Sequence, residues 1–151
     1  MIWVTKKRIK VNRAATAWLI RRFVDPRGEI RFVDPDEVAT VQEREGAKGF
    51  DAPGATYPHR DDRGRCSFEA LVDEHCAADA ALRKLARIVH CADFRDEIDG
   101  IPEARGLRAI SDGFPLVAKD DDDTVARASF LYDALYAALQ AEIGAATASH
   151  V

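Results

Sequence analysis

The pattern of apolar and polar positions changes character about sixty residues into the chain. The first part combines short segments of period two, which are typical of strands, with segments of helical period. It predicts a strand at 1–5, a helix from Asn12 as N-cap to Asp25-Pro26, a strand in 29–35, a helix in 34–46 that Gly46 ends, and a strand-and-turn region at 48–59.

From Ser67 onward the pattern is almost wholly helical. Ser67 is placed to cap a first helix. The helical segments are 67–75, 77–94, 102–110 and 120–144. We therefore predict an α+β fold, with a small sheet and helices in the N-terminal part and a mostly helical C-terminal half.

Length and composition fit one folded domain. A chain of 151 residues, 47% of them hydrophobic, can bury a core without disulfides or metals to hold it together. We expect a single domain at 1–144 and a frayed tail at 145–151. The three cysteines show no CxxC spacing, which favours a reducing, cytoplasmic setting. No segment has the length of a transmembrane helix or the form of a secretory signal.

The charges are unevenly distributed. The net charge is −4, yet residues 1–31 carry nine Lys and Arg against two acids. A basic start on an acidic body can attract an anion or a nucleic acid, or it can pack against the protein's own acidic surface.

The helix predicted near 79–94 carries two polar residues along its apolar stripe. The stripe is formed by Leu82, Leu85, Ala86 and Val89. Asp93 continues it and His90 lies on its flank, so both side chains can point at one object. A buried carboxylate needs a partner, because a lone charge out of water costs several kcal/mol. The spacing fits a ligand pair and an internally satisfied His–Asp pair equally well.

A second set of candidates lies between 57 and 75. His59 follows Pro58 in a turn that can hold its side chain rigidly, and Cys66 and Glu69 flank the start of the next helix. Glu69 could instead be an acid that the helix dipole favours, and Cys66 a small buried apolar residue or a redox or auxiliary ligand.

Together these residues indicate a possible metal site. His59 and His90 would supply nitrogen ligands, and Glu69 and Asp93 oxygen ligands, a set that suits Mn, Fe or Zn. Compact motifs such as HExxH, GxSxG, a P-loop or GxGxxG do not occur in the sequence. We predict that His59, His90 and Asp93 converge, with Glu69 close by.

Four segments in this order resemble one known family. They are NRAATAWLIRRFVDP, TYPHRDDRGRCSFEALVDEH, ALRKLARIVHCADFRD and DDDDTVARASFLYDALYAAL. Together they resemble the C-terminal domain family of the chromate resistance protein ChrB and cover nearly the whole chain. The positions that match its motifs are Arg13, Trp18, Arg21, Arg22, His59, Cys66, Glu69, His90 and Asp93. Cys91 departs from the pattern, since the family has an acid after the histidine.

The resemblance implies a role in bacterial chromate resistance and the associated stress response. Full-length ChrB also has an N-terminal region associated with chromate-responsive transcription control, and some relatives carry a rhodanese module. We expect neither extension here, so direct nucleic-acid binding is not expected. A rhodanese or regulatory partner and a homo-oligomer stay open.

Three functions follow as hypotheses. The first is a cytoplasmic metal-binding domain that senses or processes an oxyanion such as chromate. The second is a metal-dependent redox or hydrolytic enzyme, and the third is a metal-free regulatory or structural module. Guanidinium groups suit oxyanions because they offer paired donors, so we expect at least one of Arg13, Arg21 and Arg22 to face the cavity with His90. The alternative is that these arginines pair with acids.

Overall fold

A small parallel sheet organises the N-terminal part of the molecule. Its strands are β1 (Ile2–Lys6), β2 (Glu29–Val33) and β3 (Lys48–Gly49). The central strand is β1, and its Trp3 pairs with Ile30 on one side and Lys48 on the other. The computed structural model describes residues 1–148, and the α+β architecture predicted from the sequence is confirmed there.

Helices occupy most of the remaining chain. They are α1 (Val11–Leu19), α2 (Val38–Glu45), α3 (Ser67–His75), α4 (Ala80–Asp93), α5 (Glu103–Asp112), α6 (Phe114–Val117) and α7 (Asp121–Ala148). The last helix continues past the predicted end at 144, and residues 149–151 of the predicted tail lie outside the described part of the chain. None of the helices described is both long and apolar enough to cross a membrane.

Two residues predicted as N-caps are instead buried inside their helices. The helix α1 begins at Val11, so Asn12 lies in its first turn, and α3 begins at Ser67 itself, after Cys66. The side-chain oxygen of Asn12 accepts hydrogen bonds from the hydroxyls of Thr16 and Ser67, at 3.1 and 3.2 Å. These side chains therefore join α1 to α3 within the core, because small polar residues can satisfy each other as well as a helix end.

The helix α4 is the centre of the core. Its predicted apolar stripe is confirmed, since Leu82, Leu85 and Val89 are fully buried. It packs against α1, α3, α5 and α7. Trp18 and Tyr132 are buried as well, and the Tyr132 hydroxyl donates to a backbone carbonyl of α1 at 3.2 Å. The C-terminal end of α4 is thus held in place by helices on several sides.

Asp121, at the start of α7, holds the turn between β1 and α1. Its carboxylate oxygens accept from the backbone N–H groups of Arg8 and Ile9 at 3.1 and 3.0 Å, and Arg8 has a left-handed φ of 61°. We expect Asp121→Ala to lower the free energy of unfolding by about 1–3 kcal/mol in urea denaturation, because both donors lose a charged acceptor. Asp122→Ala is the matched control, since that side chain is 71% exposed, and we expect a change within about 0.5 kcal/mol. Equal losses in the two variants would contradict this role of Asp121.

Candidate metal site

Both candidate histidines lie against one aromatic ring. Phe94 directly follows the last residue of α4, and its ring centroid is 4.6 Å from that of His90 and 5.0 Å from that of His59, both edge-on. His90 belongs to the last turn of α4, whereas His59 lies in the loop between β3 and α3. The end of α4 therefore brings together two histidines that are distant in sequence.

A first cluster is formed by Asp51, His59 and Asp93. The Nδ1 atom of His59 lies 2.8 Å from an oxygen of Asp51 and 3.4 Å from Oδ2 of Asp93. Asp51 follows β3 in a tight turn, with a left-handed φ of 47° that aspartate tolerates, and its backbone N–H donates to the carbonyl of Tyr57 at 2.8 Å. The hydrogen bond to Asp51 raises the pKa of His59.

Asp93 is the least satisfied member of this cluster. Its Oδ2 atom is buried and accepts no hydrogen bond from any residue in the described chain. Burial raises the pKa of Asp93 to about 6, and the negative charge of Asp51 acts in the same direction. Among the described residues this oxygen accepts no hydrogen bond, and the His59 imidazole, 3.4 Å away, is shared with Asp51.

A second cluster surrounds His90. Its Nδ1 atom lies 2.5 Å from Glu69, and its Nε2 atom lies 2.7 Å from Glu97. Glu69 also accepts from the backbone N–H of Cys66 at 3.0 Å, at the start of α3. Burial raises the pKa of the Cys66 thiol, and the charge of Glu69 adds to this effect.

The four predicted ligands are thus distributed over two clusters rather than one. His59 and Asp93 lie in the first, and Glu69 and His90 in the second. Within each cluster, Asp51–His59–Asp93 or Cys66–Glu69–His90, three donor atoms lie within 4.8 Å of one another, a spacing that could accommodate a metal ion. Phe94 touches the histidine of each cluster. Metal binding itself stays a prediction.

Sequence reasoning missed Asp51 and Glu97. Asp51 is one acid after a two-residue strand, and the only local signal was the turn sequence that follows it. Glu97 lies in a 3₁₀ turn at Arg95–Glu97 that contains a second acid, so periodicity could not single it out. Both residues become recognisable only when the loops are folded against the end of α4.

Arginine side chains supply positive charge around the two clusters. Arg13 lies 3.4 Å from Asp51, so it pairs with an acid, as the alternative interpretation of these arginines held, and it does so at the cluster of His59 rather than that of His90. Arg60 stacks over Phe94 at 4.3 Å from the ring centroid and pairs with Glu97 at 3.0 Å. These contacts bring Arg13 to the first cluster and Arg60 to the second.

Arg21 and Arg22 lie elsewhere, in the π-helical turn Ile20–Val24 that ends α1. Arg21 is 3.9 Å from Asp122, and Arg22 pairs with Asp133, both acids of α7. The pocket beside them includes none of the residues of the two clusters. Arg21 and Arg22 therefore pair with acids of α7, as the alternative interpretation held, and do not lie with Arg13, because the two ends of the first helix have different neighbours.

A small polar cavity adjoins the first cluster. Its volume is about 110 Å³, and its lining includes Asn12, Arg13, Asp51, Asp93 and Arg108. Arg108 donates to the two last carbonyls of α4, at 2.9 and 3.3 Å. The Nδ2 atom of Asn12 and the Nε atom of Arg13 are buried donors without a hydrogen-bond acceptor among residues 1–148. Three of the residues that line the cavity, Asn12, Arg13 and Asp93, thus each have a buried polar atom without a hydrogen-bond partner among residues 1–148.

The fold and these clusters define a small α+β domain with histidine and carboxylate groups gathered at the end of one buried helix. A family model described as "ChrB, C-terminal domain" matches residues 3–139, which include every residue of both clusters. The chain belongs to this family, and the resemblance inferred from the sequence motifs is confirmed.

A curated relative supports the same assignment. Protein ChrB of Cupriavidus metallidurans is 34% identical over 137 residues, which cover 89% of this chain and 39% of that protein. The chain therefore spans about two-fifths of the length of this relative. No solved structure matches the chain.

The two raised pKa values predict how the stability of the metal-free protein depends on pH. Folded Asp93 binds its proton more tightly than the unfolded carboxyl, whose ordinary pKa is 3.8. The proton therefore stabilises the folded state, and this stabilisation is lost as pH rises from about 3.8 to about 6. The raised pKa of His59 acts in the same direction, because the stabilisation from its protonated imidazole is lost as pH rises above 6.5. We therefore expect the metal-free protein to lose stability as pH rises from about 4 to about 6, and to lose more above about 6.5, in chemical denaturation.

The variant Asp93→Asn isolates the larger of these effects. At about pH 8 it should be more stable than the wild type in the metal-free state, by up to roughly 3 kcal/mol, because the amide avoids the cost of a buried charge. The exposed Asp96→Asn is the matched control and should follow the wild type. A decrease in stability of Asp93→Asn at every pH would show that the carboxylate is satisfied in the folded protein.

Proposed function

We propose that this domain binds a divalent transition metal between Asp51, His59 and Asp93, and that the bound metal serves to sense or process an oxyanion. The metal would be Mn, Fe or Zn, and the oxyanion chromate, in keeping with the link of the ChrB family to chromate resistance. The observation that carries the proposal is the buried Oδ2 of Asp93, which lies 3.4 Å from Nδ1 of His59 and receives no hydrogen bond from residues 1–148. A divalent cation would balance this oxygen and the neighbouring Asp51 together.

The donor set fits such a metal. Two carboxylates and one imidazole are hard to borderline ligands, and three protein ligands leave coordination positions for water or a small ligand. The His59 side chain is 55% exposed, so the site is open to small solutes on that side. Ligand binding requires neutral His59 and ionised Asp93, so metal affinity should rise with pH.

The adjoining cavity supports the oxyanion part of the proposal. Arg13 and Arg108 bring positive charge to its wall, and Asn12, which also lines it, has a buried N–H donor without an acceptor in the described part of the chain. An anion placed there would be next to the carboxylates of the proposed metal site, whose charge the metal would offset. Arginine and amide donors recognise oxyanions by paired hydrogen bonds.

Two alternatives have their own support. Open coordination positions next to an anion cavity would equally suit a redox or hydrolytic enzyme. A metal-free regulatory module is supported by His90, whose two nitrogens already have carboxylate partners. A cytoplasmic location belongs to the proposal as well, and the three free cysteines are compatible with it.

Titration calorimetry on Mn²⁺-loaded protein tests the oxyanion proposal. We expect both chromate and sulfate to bind, sulfate serving as a tetrahedral dianion that is inert to reduction. Arg13→Gln should weaken sulfate binding about tenfold or more, because a charged donor is lost at the cavity. Arg22→Gln, on the extension of the same helix but paired with Asp133, should bind like the wild type.

Two outcomes decide between the alternatives. With an added electron donor such as ascorbate, steady consumption of chromate above the rate without protein, alongside reversible sulfate binding, would assign the domain to the redox enzymes. If the metal-loaded wild type binds neither anion, or if both arginine variants weaken binding equally, the oxyanion proposal is wrong.

A further inference from the structure

The second cluster has a composition that differs from the first. It contains a thiol, a carboxylate and an imidazole, from Cys66, Glu69 and His90, with donor atoms within 4.8 Å of one another. We propose that this cluster is a separate metal site, selective for a thiophilic divalent ion such as Zn²⁺. The inference extends the proposed function to a second ion but uses none of the ligands of the first site.

The orientation of His90 favours a cation at its Nδ1 atom. A proton on Nε2 can be donated to Glu97 at 2.7 Å, which leaves the lone pair of Nδ1 facing Glu69 at 2.5 Å. Two acceptor atoms this close repel each other unless a proton lies between them or a metal ion lies beside both. Metal-bound histidines commonly have their second nitrogen fixed by a carboxylate in this way, and Glu97 would have that role.

Cys66 supplies the ligand that sets the selectivity. Its side chain is fully buried at the start of α3, where Glu69 shares the same helix turn. A neutral thiol is a weak ligand, but a bound Zn²⁺ displaces the thiol proton, and the thiolate then stays on the metal. Metal binding would therefore release the Cys66 proton, and also the Nδ1 proton wherever His90 is protonated in the metal-free protein, and would involve no change in oxidation state.

The two sites differ in access as well as in chemistry. His59 of the first cluster is 55% exposed, whereas His90 is 14% exposed and Cys66 is fully buried. Arg60 covers Phe94 and pairs with Glu97, close to His90. A closed site with a thiolate is typical of tightly held zinc, and an open site rich in carboxylates is typical of an exchangeable ion.

The rival interpretation is a protonated His90 held between Glu69 and Glu97. In that arrangement Cys66 is an ordinary buried residue, and the cluster binds nothing. The two interpretations differ in whether the sulfur is bonded to a metal, which a direct spectroscopic measurement can show.

The test combines metal counting with cobalt substitution on the whole chain. The protein is equilibrated by dialysis against Zn²⁺ or Co²⁺, and the bound metal per chain is measured as the excess over the metal in the surrounding buffer. We expect two equivalents in the wild type, and one each in Cys66→Ser and Asp93→Asn. The Co²⁺-loaded wild type should show a sulfur-to-cobalt charge-transfer band in the near ultraviolet, which is lost in Cys66→Ser and kept in Asp93→Asn.

Cys76→Ser is the matched control, because Cys76 follows the other end of α3 and belongs to neither cluster. It should keep two equivalents and the charge-transfer band. The band of the unmodified protein reports on the sulfur without any substitution, so the test stands even where Cys66→Ser folds poorly.

Each outcome has a definite meaning. One equivalent that Asp93→Asn removes, without a sulfur band, overturns the second site and leaves the proposed function intact. One equivalent with the band that only Cys66→Ser removes supports the second site and contradicts the first. A single equivalent lost in both variants indicates one shared site and overturns this inference, and no bound metal overturns both.

Discussion

The candidate site depends on two carboxylates that face the same imidazole nitrogen, with side chains that are 4% and 16% exposed. Asp51 and Asp93 both point at Nδ1 of His59, which can donate only one proton. Arg13 offsets part of the charge of Asp51 from the other side. The remaining negative charge falls on Asp93, and burial raises its pKa to about 6. A site of this kind is either partly protonated or completed by a cation, and both states follow from the same shortage of positive charge.

This shortage of positive charge lies at the C-terminal end of α4, where the helix favours a cation. The C-terminal end of α4 carries the negative end of the helix dipole, which disfavours a carboxylate at Asp93 and favours a metal beside it. Arg108 satisfies the last carbonyls of α4, so the helix end is fixed without reaching Oδ2 of Asp93. The turn after β3 places Asp51 near the same His59 nitrogen that Asp93 approaches. The sheet and the helical half therefore each contribute one carboxylate, and the candidate site exists only where they meet.

The sequence predicted the parts of the site that lie on regular structure. Periodicity located the buried stripe of α4, and with it His90 and Asp93, because a helix fixes which side chains share a face. It could not locate Asp51, whose position depends on a turn with left-handed backbone. The prediction of Asn12 as an N-cap was wrong, because the sequence does not distinguish an asparagine at a helix N-terminus from one buried in the first turn. Sequence periodicity likewise predicted the helix that carries the arginines but not the neighbours of their side chains. Only the packing of α7 shows that Arg22 pairs with Asp133, away from Arg13.

The most direct test of this account is an anomalous diffraction measurement on crystals of the Mn²⁺- or Zn²⁺-loaded protein, at the absorption edge of the metal. The account predicts a peak between Asp51, His59 and Asp93, with Oδ2 of Asp93 as a direct ligand at about 2.0–2.2 Å for zinc. A map without a peak there, in which Asp93 instead donates a hydrogen bond as a neutral acid, would contradict it.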